Sequence, residues 1–328
     1  IIHTVKEHYK RIEKLWKILL TNQFHYISPG SSIGEVYQDS SHDYETILSQ
    51  ADDLHSDALH ALFTSSSLVD KVLAFNPLGF SRQEVIEYPS KLPGAHSSVS
   101  DLSLGIVTVP ALGYSVQTPE TISEEVSISE DSVGFTLENT RLKAVVNRKG
   151  ELVSLVEKTM HRECIEPGAA GNSFALYEDK PNNWEAWDVD IFHLEKRLPL
   201  AGARSAKIAE TDPLRVAVQF EYCISGRSTI QLVISLSALS GRLEFDCMVD
   251  WHEKQKFLKV EFPLNIRAQY ATYEIQFGHL QRPTHFNTSY DMARFEVPAQ
   301  KWADLSEPDF GVALLNDCKY GYAAYENV

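Results

Sequence analysis

The stretch Thr21-Asn22-Gln23-Phe24-His25-Tyr26-Ile27-Ser28-Pro29-Gly30-Ser31-Ser32 carries the side chain best suited to chemistry, the imidazole of His25. A histidine nitrogen can ligate a metal or move a proton. Pro29 and Gly30 stop a preceding helix and form a corner, and Ser32-Ile33-Gly34-Glu35 has the S-x-x-E form of a capping box that opens the next helix. His25 is thereby placed on a tight turn that can aim its ring outward. On spacing alone, a histidine at a helix end is more often a surface or core-edge residue than a ligand. One imidazole also supplies only one of the roughly four donors that zinc takes.

Two further clusters combine aromatic and polar side chains. Trp184-Glu185-Ala186-Trp187-Asp188 follows Asp179-Lys180-Pro181-Asn182-Asn183 and reads as an exposed loop. Indole rings offer an apolar face to the C–H side of a pyranose, and Asp188 can hold hydroxyls. The same tryptophans serve equally well as anchors of the loop onto a sandwich. The second cluster is Phe277-Gly278-His279-Leu280-Gln281-Arg282-Pro283-Thr284-His285, then Tyr290, Asp291 and Arg294, read as a polar and aromatic loop after a strand. His279 and Arg282 are its candidates for glycan contact, the rest a domain interface. His252, Glu253 and His193 have no partner at ligand spacing and read as solvated.

Helices must position His25. Apolar residues recur at helical spacing from Val5 to Leu20, and again from Ser32 to about Phe63, where Val36, Tyr37, Tyr44, Ile47, Leu48 and Leu62 share a stripe. His42, His55 and His60 lack ligand spacing and read as solvated or core-edge. Two antiparallel helices bury such stripes poorly, which calls for a third helix or cover from the β-region. Thr64-Ser65-Ser66-Ser67 is a polar linker, after which the pattern changes to period two. Strands are expected from Val69 to Phe75 and over 83–88, 105–109, 133–138, 142–147, 152–157, 206–210, 214–225, 228–239, 242–251, 257–262, 271–277 and 311–316. The fold class is α+β: a short helical bundle segment over 1–66, then a large antiparallel β-sandwich over 67–328, each expected to continue beyond the chain's ends.

The 328 residues, 43% of them hydrophobic, suffice for more than one core. A formal net charge of −15 argues against phosphate backbones and anionic membrane surfaces, so neither nucleic acid nor membrane is an expected partner. No apolar run is long enough to span a bilayer. Cys164, Cys223, Cys247 and Cys318 have no metal-knuckle spacing and suit a reducing compartment.

Asn22-Gln23-Phe24-His25 with Pro29-Gly30-Ser31-Ser32-Ile33 resembles the N-Q-F-H-D-x-x-P-G-[ST]-x-I signature of family 38 α-mannosidases. The likeness extends over Phe75–Phe80, Gly171–Phe174, Trp184–Asp188, Trp251–Lys254 and the run from Thr272 to Asn316, and points to the cytosolic branch that trims free oligosaccharides. The resemblance implies a zinc-dependent retaining hydrolase, with cobalt able to replace zinc, acting on mannose-containing oligosaccharides in the cytoplasm. His25 would be one zinc ligand. The other donors, the nucleophile among them, would come from an N-terminal catalytic β/α domain, so this chain holds no catalytic residue and is expected to be inactive alone. Tyr26 stands where the family has an Asp that holds mannose hydroxyls, and a neutral phenol replaces a charged acceptor there. Tyr26, Trp184, Trp187, Asp188, His279 and Arg282 are the substrate-binding candidates. A non-catalytic carbohydrate-binding or interaction module derived from the family is the alternative.

Overall fold

The computed structural model describes residues 2–63, 71–89, 102–120, 126–185 and 187–328. The expected linker at Thr64–Ser67, the 66/67 boundary and the start of the strand expected from Val69 lie outside them. The chain divides into two compact units, one of Ile1–Leu73 with Pro181–Asp188, the other of Ala74–Lys180 with Val189–Val328.

In the first unit, helix α1 (Ile2–Asn22) and helix α2 (Gly34–Leu62) are joined by the turn carrying His25. Among the described residues of the two helices, Leu15 is the one apolar side chain that is fully buried. Tyr9, Ile12, Trp16 and Leu20 stay exposed along α1, and Leu48 and Leu62 along α2, so the pair leaves its apolar stripes uncovered. A buried amide ties the helices: Asn22 Nδ2 donates to Asp43 Oδ2 at 2.9 Å and to the Ile18 carbonyl at 3.1 Å.

The second unit is built on antiparallel sheets. One has five strands in chain order: Ser127–Glu130, Gly134–Glu138, Leu142–Asn147, Leu152–Glu157 and Arg162–Glu163. Another has four: Ser205–Asp212, Arg215–Cys223, Thr229–Ser237 and Leu243–Asp250. Every second side chain points inward, as a pleated strand with one buried face requires. Phe135, Leu137, Ala144 and Val146 from the first sheet thus share one core with Val216, Val218, Phe220, Ile230, Leu232 and Ile234 from the second. Phe135 meets Phe220 edge to face at 5.8 Å. This is the expected sandwich.

Asn139 pins it at one end. Its Nδ2 donates to the Ser237 and Ser240 carbonyls and its Oδ1 accepts from the Arg141 and Leu142 N–H groups, all at 2.8 Å. A three-stranded sheet, Arg197–Leu198 with Ser173–Glu178 and Lys256–Glu261, lies in the same unit. A four-stranded sheet of Gly278–Pro283, Tyr270–Ile275, Trp302–Ser306 and Gly311–Leu315 covers a second core around Ile266, Ala271, Tyr273 and Leu305. No helix among the described residues is long and apolar enough to cross a membrane. All four cysteines are free thiols.

Candidate functional site

The turn after α1 is a run of short backbone bonds: Gln23 N–H reaches the Leu19 carbonyl, Phe24 that of Thr21, Ile27 and Ser28 that of Phe24, and Gly30 that of Ile27. Gly30 has φ +83, a left-handed value that a Cβ disfavours, and it turns the chain toward α2. The expected capping box is absent. Ile33 is the N-cap and its hydrocarbon side chain can make no cap bond, while the Ser32 N–H that Glu35 would accept in a capping box is taken by the Tyr37 hydroxyl at 2.8 Å. That hydroxyl in turn points toward the Ile27 carbonyl at 3.4 Å. Tyr37 therefore holds the turn from the first turn of α2, a role its place in the apolar stripe concealed. The chain does contain a capping box elsewhere: Thr288 and Asp291 exchange such bonds at the short helix Ser289–Met292.

His25 is exposed, between two rings: Phe24 and Tyr26 each have their centroid 4.4 Å from the imidazole. Tyr26 is met in turn by Trp187, edge to face at 5.2 Å. The tryptophan loop thus belongs with the His25 turn in the first unit, though remote in sequence. The loop is closed by the Trp184 carbonyl, which accepts the N–H groups of Trp187 at 2.8 Å and Asp188 at 3.0 Å. Trp184 sits at φ +65 and is 74% exposed, while Trp187 is 47% exposed. A bulky residue in the left-handed region is strained, and an indole in water forgoes burial, so stability favours neither feature. Such outliers cluster at functional sites.

Of the substrate-binding candidates, Tyr26 packs beside His25 and touches Trp187, and Trp184 and Asp188 belong to the loop that carries Trp187. His279 and Arg282 lie in the second unit. The segment expected to be a loop there is the edge strand Gly278–Pro283, paired with Tyr270–Ile275 so that His279 stands opposite Glu274. His279 is exposed. The Arg282 guanidinium lies 6.0 Å from the centre of the Tyr273 ring. Burial raises the Tyr273 phenol to about 12.

Two residues expected to be solvated are not. His193 is buried, boxed by Tyr177, Phe257 and Phe295, with Nδ1 2.8 Å from the Asp190 carbonyl and Nε2 3.7 Å from Glu296. Glu253 binds the Ser225 and Ser228 hydroxyls and, at 2.9 Å, the Lys256 ammonium. The Ser225 bond first, then those to Lys256 and Ser228, hold its carboxyl at about 2. His42, His55 and His60 are exposed. Among the described residues no group of three or more His, Cys, Asp or Glu is placed to hold a metal ion. His25 offers one nitrogen, which does not make a zinc site by itself.

The described residues thus comprise an antiparallel β-sandwich unit and a unit of two helices that carries an exposed histidine turn. Residues 137–328 match the model described as glycosyl hydrolases family 38 C-terminal domain, and residues 1–62 that of the alpha mannosidase middle domain. The chain belongs to glycosyl hydrolase family 38. It is 43% identical over 319 residues to alpha-mannosidase 2C1 of Homo sapiens, covering 95% of this chain and 30% of that protein. It is 36% identical over 362 residues to alpha-mannosidase G of Dictyostelium discoideum, covering 95% of this chain and 33% of that one. The chain thus spans about a third of the length of these relatives. The crystal structure of an alpha-mannosidase from Enterococcus faecalis V583 superposes with a TM-score of 0.72 at 13% identity, over 97% of this chain and 46% of that one, a likeness of fold.

Proposed function

We propose that this chain is the middle and C-terminal portion of a zinc-dependent retaining α-mannosidase that removes terminal α-mannosyl residues from free oligosaccharides and N-glycans in the cytoplasm, and that it hydrolyses nothing by itself. The observation that carries the proposal is His25: an exposed imidazole, fixed between Phe24 and Tyr26 on a braced turn, with no co-ligands among the described residues. It serves as one donor to a zinc ion whose other ligands come from a catalytic β/α domain. Bound zinc would supply a Lewis acid for sugar hydroxyls. This chain's own contribution is to orient the imidazole and to present Tyr26, with Trp187 against it and Trp184 and Asp188 on the same loop; His279 and Arg282 are glycan-contact candidates on the second unit.

Tyr26 changes the site. A carboxylate at this position would make charge-assisted bonds to hydroxyls, whereas a phenol packed against Trp187 adds aromatic surface and no charge. Assay of the purified chain with an aryl α-mannoside and added Zn²⁺ or Co²⁺ should show no turnover. Turnover abolished by His25→Ala would refute the claim of inactivity. In a longer gene product that carries the β/α domain, His25→Ala should lower the zinc content.

The strain and exposure of Trp184 favour a second reading, a module that binds glycan without metal. Calorimetric titration with mannose oligomers in EDTA separates the two: affinity that disappears in Trp187→Ala supports the module.

A further inference from the structure

An open cavity of about 500 Å³ lies in the second unit, lined among others by Lys149, Glu151, Asn172, Phe174, Arg197 and Tyr222. We propose that it binds a neutral saccharide of one or two pyranose rings, as a site separate from the His25 turn and independent of the zinc reading. Its volume is within the range of small-molecule sites.

The walls are fixed by backbone. Gly150 has φ +84, and a Cβ there would stand 1.8 Å from the Tyr222 hydroxyl oxygen, so only glycine brings the 149–151 turn this close to Tyr222. Asn172, buried and at φ +51, donates from Nδ2 to the Gly150 carbonyl at 2.9 Å. Opposite, the Ala203 N–H donates to the Lys149 carbonyl at 3.1 Å, and a Cβ on Gly202 would come within 2.7 Å of the Lys149 Cβ. The hollow therefore exists before any ligand arrives, which lowers the cost of binding.

Its chemistry selects the class of ligand. Lys149 and Arg197 are donors, and Arg197 is neutralised by Glu261 at 3.0 Å. Glu151 is an acceptor, its Oε2 bound by Asn147 Nδ2 at 2.7 Å. An anion would meet the Glu151 charge, and a cation would meet Lys149 and Arg197. A hydroxyl both donates and accepts, so a polyol satisfies both sets. Phe174, packed edge to face on Tyr222 at 5.1 Å, adds aromatic surface suited to the C–H face of a sugar. The Tyr222 hydroxyl is buried with no hydrogen-bond partner among the described residues, and such atoms are few in folded proteins. Burial first, and the Glu151 charge after it, raise its pKa, so the wall stays neutral there.

Saturation-transfer NMR and calorimetric titration of the chain in EDTA test the site, with methyl α-mannoside and α-mannobiose as neutral probes and glucuronate as the anionic one. Saturable binding of the neutral sugars should persist in EDTA. It should weaken about fivefold in Glu151→Gln, where a charged acceptor becomes neutral. Ser173→Trp, which fills the space, should abolish it. Lys149→Met alters an exposed side chain and covers the case in which Ser173→Trp misfolds; it too should weaken binding. Absence of saturable binding, binding that Trp187→Ala removes while the cavity variants do not, or a preference for glucuronate would each overturn the proposal.

Discussion

Replacing Asn139 by alanine tests how the sandwich is held. The side chain is 3% exposed and makes four bonds of 2.8 Å, two from its amide to the Ser237 and Ser240 carbonyls and two to its oxygen from the Arg141 and Leu142 N–H groups. That satisfies both donors and both lone pairs. Alanine leaves four backbone groups unpaired at ~1 kcal/mol each, so a loss of about 4 kcal/mol is expected. Aspartate keeps the acceptor but sets a carboxylate against two carbonyls. Its folded pKa is therefore raised above the unfolded value, and the penalty is greatest at neutral pH and fades as pH falls and the group protonates. Urea denaturation followed by far-UV circular dichroism reads both variants. The midpoint should drop with an unchanged slope. A loss below ~1 kcal/mol for Asn139→Ala would refute the bridging role, as would an Asp variant whose deficit does not shrink toward acid.

Two other perturbations have definite signs. Glu253 is held at about 2, below its ordinary 4.5, by Ser225, Lys256 and Ser228; its stabilisation is present above about 4.5 and lost as pH falls toward 2. Glu253→Gln should lower stability at neutral pH and flatten the acid limb between those values, measured as melting temperature against pH. Trp187→Ala should cost the Tyr26 edge contact, ~0.5–1.5 kcal/mol, and shift the Tyr26 ring resonances, whereas Trp184→Gly should leave stability unchanged or raise it by up to ~1 kcal/mol by relieving a positive φ; a large loss in the glycine variant would mean that the indole anchors the loop.

The alternation of buried residues in Leu142–Asn147, Arg215–Cys223 and Thr229–Ser237 was plain in the sequence, because each of those strands has one face in the core. Gly278–Pro283 was not, since most of its side chains are exposed and period two carries no signal on such an edge strand. Ser127–Glu130 was missed for the same reason. The Pro29-Gly30 corner announced the His25 turn, but its brace, Tyr37, competes with the S-x-x-E motif from within an apolar stripe. His193 was misread because the rings that enclose it come from three other segments, at Tyr177, Phe257 and Phe295. The meeting of Tyr26 with Trp187 was invisible for the same physical cause: local patterns encode neighbours along the chain, and this contact is made only by the tertiary fold.

The octapeptide Pro181–Asp188 clusters with the helical pair although it is encoded between strands Ser173–Glu178 and Arg197–Leu198 of the other unit. A gene fragment stopping after α2 would consequently express Tyr26 stripped of its indole neighbour. The smallest excised piece able to report on this corner must retain both lengths of polypeptide, or have the loop grafted back onto it.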